Sequence, residues 1–149
     1  MIPRILAIDF GTKRMGLAIS DALGVTAQGL PTLERTRIAD DVAHLAQLVE
    51  QHSVERVLVG NPISQSGAET AMSQRVAEFV EKLRRRLPCP VELRDERLTS
   101  AEANRALREM ELSIGKRQRA VDRMAAVLLL QSYLDFLENE RSRGSQPQA

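Results

Sequence analysis

The sequence predicts an α/β domain: a central, mixed, five-stranded sheet flanked by helices. Three observations predict it. Short apolar runs bounded by Gly and Pro open the chain. From about residue 38 the hydrophobic period changes from strand-like to helical. Strand-like and helical runs then alternate, which is the pattern of parallel strands joined by crossovers.

Taken in order, residues 4–9 carry the run Ile5-Leu6-Ala7-Ile8 and read as a buried strand, ended by the turn Gly11-Thr12-Lys13. Met15 to Ser20 reads as a second strand paired with the first. Val25 to Leu33, interrupted by Gly29 and Pro31, suits an edge strand, where proline is tolerated. Short connections make these three an antiparallel meander. A helix follows, with Val42, Leu45, Ala46 and Val49 on one face. Arg56 to Gly60 is a buried strand that a right-handed crossover sets parallel to the first. Ser66-Gly67-Ala68-Glu69 is a capping box opening a long helix, with the stripe Met72, Val76, Phe79, Val80, Leu83 and Leu87, stopped by Pro88-Cys89-Pro90. The strand 91–95 comes next. Thr99-Ser100-Ala101-Glu102 is a second capping box, starting a helix to about Glu111. A basic loop over Gly115–Arg119 and a last helix to about Arg141 complete the fold, and 142–149 is a polar tail expected to be disordered.

Composition narrows the class. With 149 residues, 43% of them hydrophobic and 28% charged, the chain is expected to form one globular domain over 1–141. The single cysteine, Cys89, excludes an internal disulfide and a cysteine-based zinc site. The N-terminus has no secretory pattern, and the longest apolar run, Met124 to Leu130, is too short to cross a membrane. A cytoplasmic protein without membrane contact is expected. His44 and His52 fall on a surface helix and read as solvated.

A net charge of +1 says nothing about partners, but its distribution does. Lys13-Arg14 follows Asp9, and Lys116-Arg117-Arg119 precedes Asp122. Positive charge beside carboxylates suits a site that attracts phosphates. Lys82-Arg84-Arg85-Arg86 reads instead as solvated surface.

Three carboxylates sit where carboxylates are costly. Asp9 ends an apolar strand, Glu96 follows the strand 91–95, and Asp122 shares a helical stripe with Ala126, Leu129, Tyr133, Phe136 and Leu137. Taken alone, Asp122 reads more simply as a helix cap or the partner of Arg119 or Arg123. Together, three acids at the ends of core elements point to a metal-binding cluster assembled by folding, since buried carboxylates neutralise, pair or bind a metal.

Four motifs carry a resemblance. Ile8 to Ala18 (IDFGTKRMGLA), Val59-Gly60-Asn61-Pro62 with Gly67, Asp95 to Ala103 (DERLTSAEA) and Val121 to Gln131 (VDRMAAVLLLQ) resemble, in order, the motifs of the YqgF/RuvX family of Holliday-junction resolvase-like proteins. Only Arg123-Met124 departs from the usual residues of the fourth. The resemblance spans about residues 4–138. It implies a ribonuclease H-like fold, a catalytic and metal-binding set of Asp9, Glu96 and Asp122, Mg²⁺ or Mn²⁺ as cofactor, and phosphodiester hydrolysis. It also implies maturation of the 5′ end of small-subunit ribosomal RNA precursors, with junction resolution or DNA repair as the alternative. Lys13, Arg14, Arg97, Lys116, Arg117 and Arg119 become candidate contacts to RNA or DNA; Thr12 reads as a turn residue. Resolving a junction takes two active sites and hence a homodimer, yet no dimer-forming stripe stands out.

Two other classes compete. Asp9-Phe10-Gly11-Thr12 also resembles the phosphate-binding turn of actin-like and sugar-kinase nucleotide-binding proteins, but no second such turn follows. A non-catalytic nucleic-acid-binding protein gains nothing from acids beside phosphate, and 3% aromatic content gives little for base stacking.

Overall fold

A computed structural model describes residues 3–61, 71–95 and 114–145. The expected positions of Glu96, Arg97, both capping boxes and the helix to Glu111 lie outside the described residues. Five strands form one sheet: β1 (Ile5–Phe10), β2 (Arg14–Ser20), β3 (Ala27–Glu34), β4 (Arg56–Asn61) and β5 (Val91–Asp95). Their order is β3-β2-β1-β4-β5. β1–β2 and β2–β3 pair antiparallel, while β1–β4 and β4–β5 pair parallel, giving the mixed sheet, meander and edge position of β3 that the sequence predicts.

Strand alternation sorts the core into two layers. On one face, Leu6, Ile8 and Phe10 of β1 pack with Val57 and Val59 of β4 under helices α1 (Ile38–Gln51) and α2 (Ala71–Arg86). Leu45, Val76, Phe79 and Leu83 come down from those helices and are almost wholly buried. On the other face, Ile5, Ala7, Ala18 and Leu58 meet Ala126, Leu129, Leu130, Tyr133 and Leu134 of α3 (Ile114–Ser145). Alanines on both sides of that contact let the helix backbone approach the sheet closely. Over β3 the approach is closer still: a Cβ on Gly29 would lie 2.6 Å from Cδ of Arg123, whose aliphatic stem crosses the glycine.

Four expectations need correction. Residues Gly115–Arg119 are not a loop, because α3 begins at Ile114. The run Lys-Arg-Gln-Arg-Ala is made of good helix formers, and one glycine costs only about 1 kcal/mol. The same start puts Asp122 two turns inside the helix, so it is not a cap. At the other end α3 reaches Ser145, four residues past Arg141, with ion pairs Arg141–Glu138 and Arg143–Glu140 along its surface. Finally, Phe136 is 46% exposed, with the Arg94 guanidinium 5.1 Å from its ring centre.

The basic end of α2 is partly structural. Arg84 donates to the carbonyl of Val91 through Nε and Nη2, at 3.2 and 3.0 Å, fastening the helix to β5.

Candidate active site

Parallel pairing gathers the ends of β1, β4 and β5 at one edge of the sheet. Asn61 is the partner of Asp95 in the last rung of β4–β5, so Glu96 is the next residue along the chain from that edge. β1 reaches the same edge one strand over, where Ile8 pairs with Val59. Asp9 follows Ile8 and shares the α3 face with Ile5 and Ala7 by alternation.

The strands on either side of Asp9 carry glycine at its level. Gly16 is its partner on β2. On β4, Gly60 is the residue after the Ile8–Val59 rung. Asp9 thus stands on the central strand of the sheet opposite a buried glycine on β2, while Ala7 and Ala18 are buried one step away.

α3 runs toward this edge. Its far part is tied to the opposite end of the sheet: Arg56 Nη1 donates to the Tyr133 hydroxyl, which in turn donates to Glu92 at 3.2 Å. Gln131 holds β3 through the Ala27 N–H and the Val25 carbonyl, at 3.0 and 2.9 Å. From Tyr133 back to position 122 the helix rises about 16 Å. Position 122 is one turn before Ala126, which packs on the sheet. Arg123 beside it crosses Gly29, whose rung leads through Ala18 to Ala7, two residues short of Asp9. The fold therefore brings the Asp9 strand, the chain leading to Glu96 and the helix carrying Asp122 to one edge.

Glu96 and the Asp122 side chain lie outside the described residues. Among the described residues no three His, Cys, Asp or Glu groups form a metal-binding cluster. What is described supplies one oxygen donor on a rigid strand, of the kind a hard divalent cation takes.

The basic candidates separate. Lys13 is exposed in the β1–β2 turn and Arg14 is half-buried at the start of β2. The turn needs its glycine, since a Cβ on Gly11 would lie 2.3 Å from the Arg14 carbonyl oxygen. Lys116, Arg117 and Arg119 stand in the first turns of α3, ahead of Asp122.

Sequence reasoning missed two features. One is the glycine pair flanking Asp9, which only strand register reveals. The other is Asn61, whose Oδ1 is buried without a hydrogen-bond partner among the described residues. A polar residue ending an apolar strand was its signal, the same one that marks Asp9.

Fold and edge define a protein of the ribonuclease H-like class. The chain belongs to the RuvX family, described as Holliday junction resolvase, whose model matches residues 3–136. It is 51% identical over 132 residues to a protein of Koribacter versatilis named "Putative pre-16S rRNA nuclease", covering 89% of this chain and 86% of that one. A Desulforamulus reducens protein of the same name is 42% identical, over 89% and 96%. Among solved structures, Thermus thermophilus RuvC superposes with a TM-score of 0.57 at 14% identity, over 91% of this chain and 96% of that one. The fowlpox virus Holliday junction resolvase gives 0.56 at 14%, over 90% and 99%. These two likenesses show the shared fold.

Proposed function

We propose that the chain is a metal-dependent nuclease that hydrolyses phosphodiester bonds in the precursor of 16S ribosomal RNA, trimming its 5′ end. The observation that carries this reading is the convergence of the Asp9 strand, the approach to Glu96 and the helix of Asp122 on one edge. Relatives at 51% and 42% identity, named for pre-16S rRNA, supply the substrate.

Asp9, Glu96 and Asp122 are the residues that would hold Mg²⁺ or Mn²⁺. Divalent ions bound there supply Lewis-acid polarisation of the scissile phosphate and offset the charge of the transition state. The protein does the positioning. Asp9 is fixed by ladders on both sides of β1, so its carboxylate is held without cost when substrate arrives. Lys13, Arg14, Arg97 and the basic start of α3 attract the backbone without reading bases, which suits a cut set by RNA shape and ends. A cytoplasmic location follows from that substrate.

The second reading is resolution of four-way DNA junctions, favoured by the description of the family. It requires a homodimer. Purified protein with Mn²⁺ or Mg²⁺, offered single-stranded RNA, a pre-16S 5′ leader and a four-way junction, separates the two. Selective cleavage of the leader supports the first reading, and symmetric nicking of the junction by a dimer replaces it with the second.

A further inference from the structure

On the sheet face opposite Asp9, a second feature opens beside the same edge. A cleft of about 320 Å³ lies between the β1–β2 turn, the start of α1 and the outer side of α2. Its lining includes Phe10, Thr12, Arg35, Arg75, Glu78 and Lys82, three cations against one carboxylate. Phe10 and Thr12 belong to the segment directly after Asp9, so the cleft and the proposed cutting site share one short stretch of chain.

Arg35 is held ready. Its Nε donates to Asp41 at 2.9 Å, its Nη1 to the Gly11 carbonyl at 3.0 Å, and its guanidinium lies 4.7 Å from the Phe10 ring centre. Asp41 is 1% exposed and also accepts from the Thr36 backbone and hydroxyl. Among the described residues this brace engages Nε and Nη1 and leaves Nη2 facing no acceptor. Arg75 and Lys82 stand two turns apart on α2 and are both exposed. Among the described residues neither is in an ion pair. Their charge is available to a ligand.

The ligand has to be an anion. Phe10 is 7% exposed and capped by Arg35, so no base can stack on it. The volume is at the small end of the roughly 300–1,000 Å³ typical of small-molecule sites, enough for a sugar-phosphate unit rather than a whole nucleotide with its base buried.

We propose that this cleft binds a backbone phosphate of the same nucleic-acid strand that is cut at Asp9, a few nucleotides from the scissile bond. A strand passing over the β1–β2 turn would be gripped on both faces of the sheet, once at the cut and once on Arg35, Arg75 and Lys82. The inference rests on the nuclease reading and adds a flanking phosphate to it. The grip is independent of sequence and fixes the register of the strand.

The experiment uses full-length R75A/K82A, which alters only exposed side chains and leaves the Arg35 brace intact. Binding of single-stranded RNA is measured on Asp9→Asn protein with and without the double change, as a function of salt, using strands that carry one neutral methylphosphonate at each successive position. Cleavage by the wild-type and R75A/K82A proteins is measured in parallel. The expected result is a several-fold rise in Kd and KM with kcat held, and a salt slope shallower by about 0.7 for each phosphate no longer neutralised. In addition, one methylphosphonate position should weaken the Asp9→Asn protein but not its R75A/K82A derivative. Equal sensitivity of both proteins at every position, with an unchanged salt slope, would overturn the inference. If the wild type cleaves no nucleic acid, the nuclease reading itself fails, and that outcome is separate from this one.

Discussion

Asp9 and Gly16 are partners across the β1–β2 ladder, so the carboxylate that ends the apolar run of β1 has a glycine for its neighbour. A strand this enclosed ordinarily surrounds each inward position with side chains. Here the partner is a buried glycine, and Gly60 is the residue after the Ile8–Val59 rung on β4; one step back along the same face Ala7, Ala18 and Leu58 are fully buried.

The closeness of Gly16 to Asp9 can be tested by adding a side chain there. Gly16→Val puts a branched side chain at a buried position, which should lower thermal stability by overpacking. In the protein that still melts cooperatively, cleavage should fall by at least an order of magnitude. Unimpaired cleavage by a folded Gly16→Val protein means that this position does not bear on the reaction.

On the proposed reading only the folded chain brings the three acids together, so metal should stabilise the fold by mass action. At a concentration 100 times its Kd, Mg²⁺ or Mn²⁺ should add about 2.7 kcal/mol, seen as a rise in Tm. Asp9→Asn should lose most of that rise. The same shift in both proteins places the metal elsewhere.

The Arg35–Asp41 pair predicts a pH dependence. Burial pushes the Asp41 carboxyl up, but hydrogen bonds from Arg35 and Thr36 outweigh it and hold the group below its ordinary value of 3.8. A carboxyl depressed in the folded state contributes stability above its unfolded pKa and loses it as pH falls through the folded one. Wild type should therefore lose stability progressively below about pH 4. Asp41→Asn should be less stable at pH 7 by about 1–3 kcal/mol and show a shallower acid limb in urea titrations. Parallel acid limbs would contradict the assignment.

The basic start of α3 should act through charge alone. Changing Lys116, Arg117 and Arg119 together to Ala should weaken binding of every cleaved substrate and flatten the dependence of log affinity on log salt. Because these positions are helical and Ala is the best helix former, the helix should not suffer. An unchanged slope would leave them as solvated surface.

Much of this architecture is legible in local pattern. Ile5 to Ile8 reads as a buried strand because nothing polar interrupts it, and Asp9 stands out against that background. The parallel placement of β4 follows from the helix before it. Local pattern fails where nearby and distant effects compete. Gly115 ahead of three cations looks like a loop, yet helix propensity and continuity with the Ala-rich run carry α3 through it. Phe136 fits the 100° count, yet it is 46% exposed, beside Arg94 of β5. Gly16, Gly60, Arg35 and Asp41 are ordinary residues in a linear reading. Their roles depend on strand register and on the meeting of a loop with a helix, and neither is written in spacing.

The assembly of Asp9, Glu96 and Asp122 into one metal-dependent cutting site is tested by cleavage of a labelled pre-16S 5′ leader. Wild type, Asp9→Asn, Glu96→Gln and Asp122→Asn are compared with and without Mg²⁺ or Mn²⁺, each variant checked for a cooperative melt. Wild type should cleave only with metal, and each variant should lose at least about a hundred-fold without loss of folding, because neutralising one of several crowded acids relieves repulsion. A folded variant that keeps full activity, or wild-type cleavage that persists in a chelator, would show that the three acids are not the cutting site.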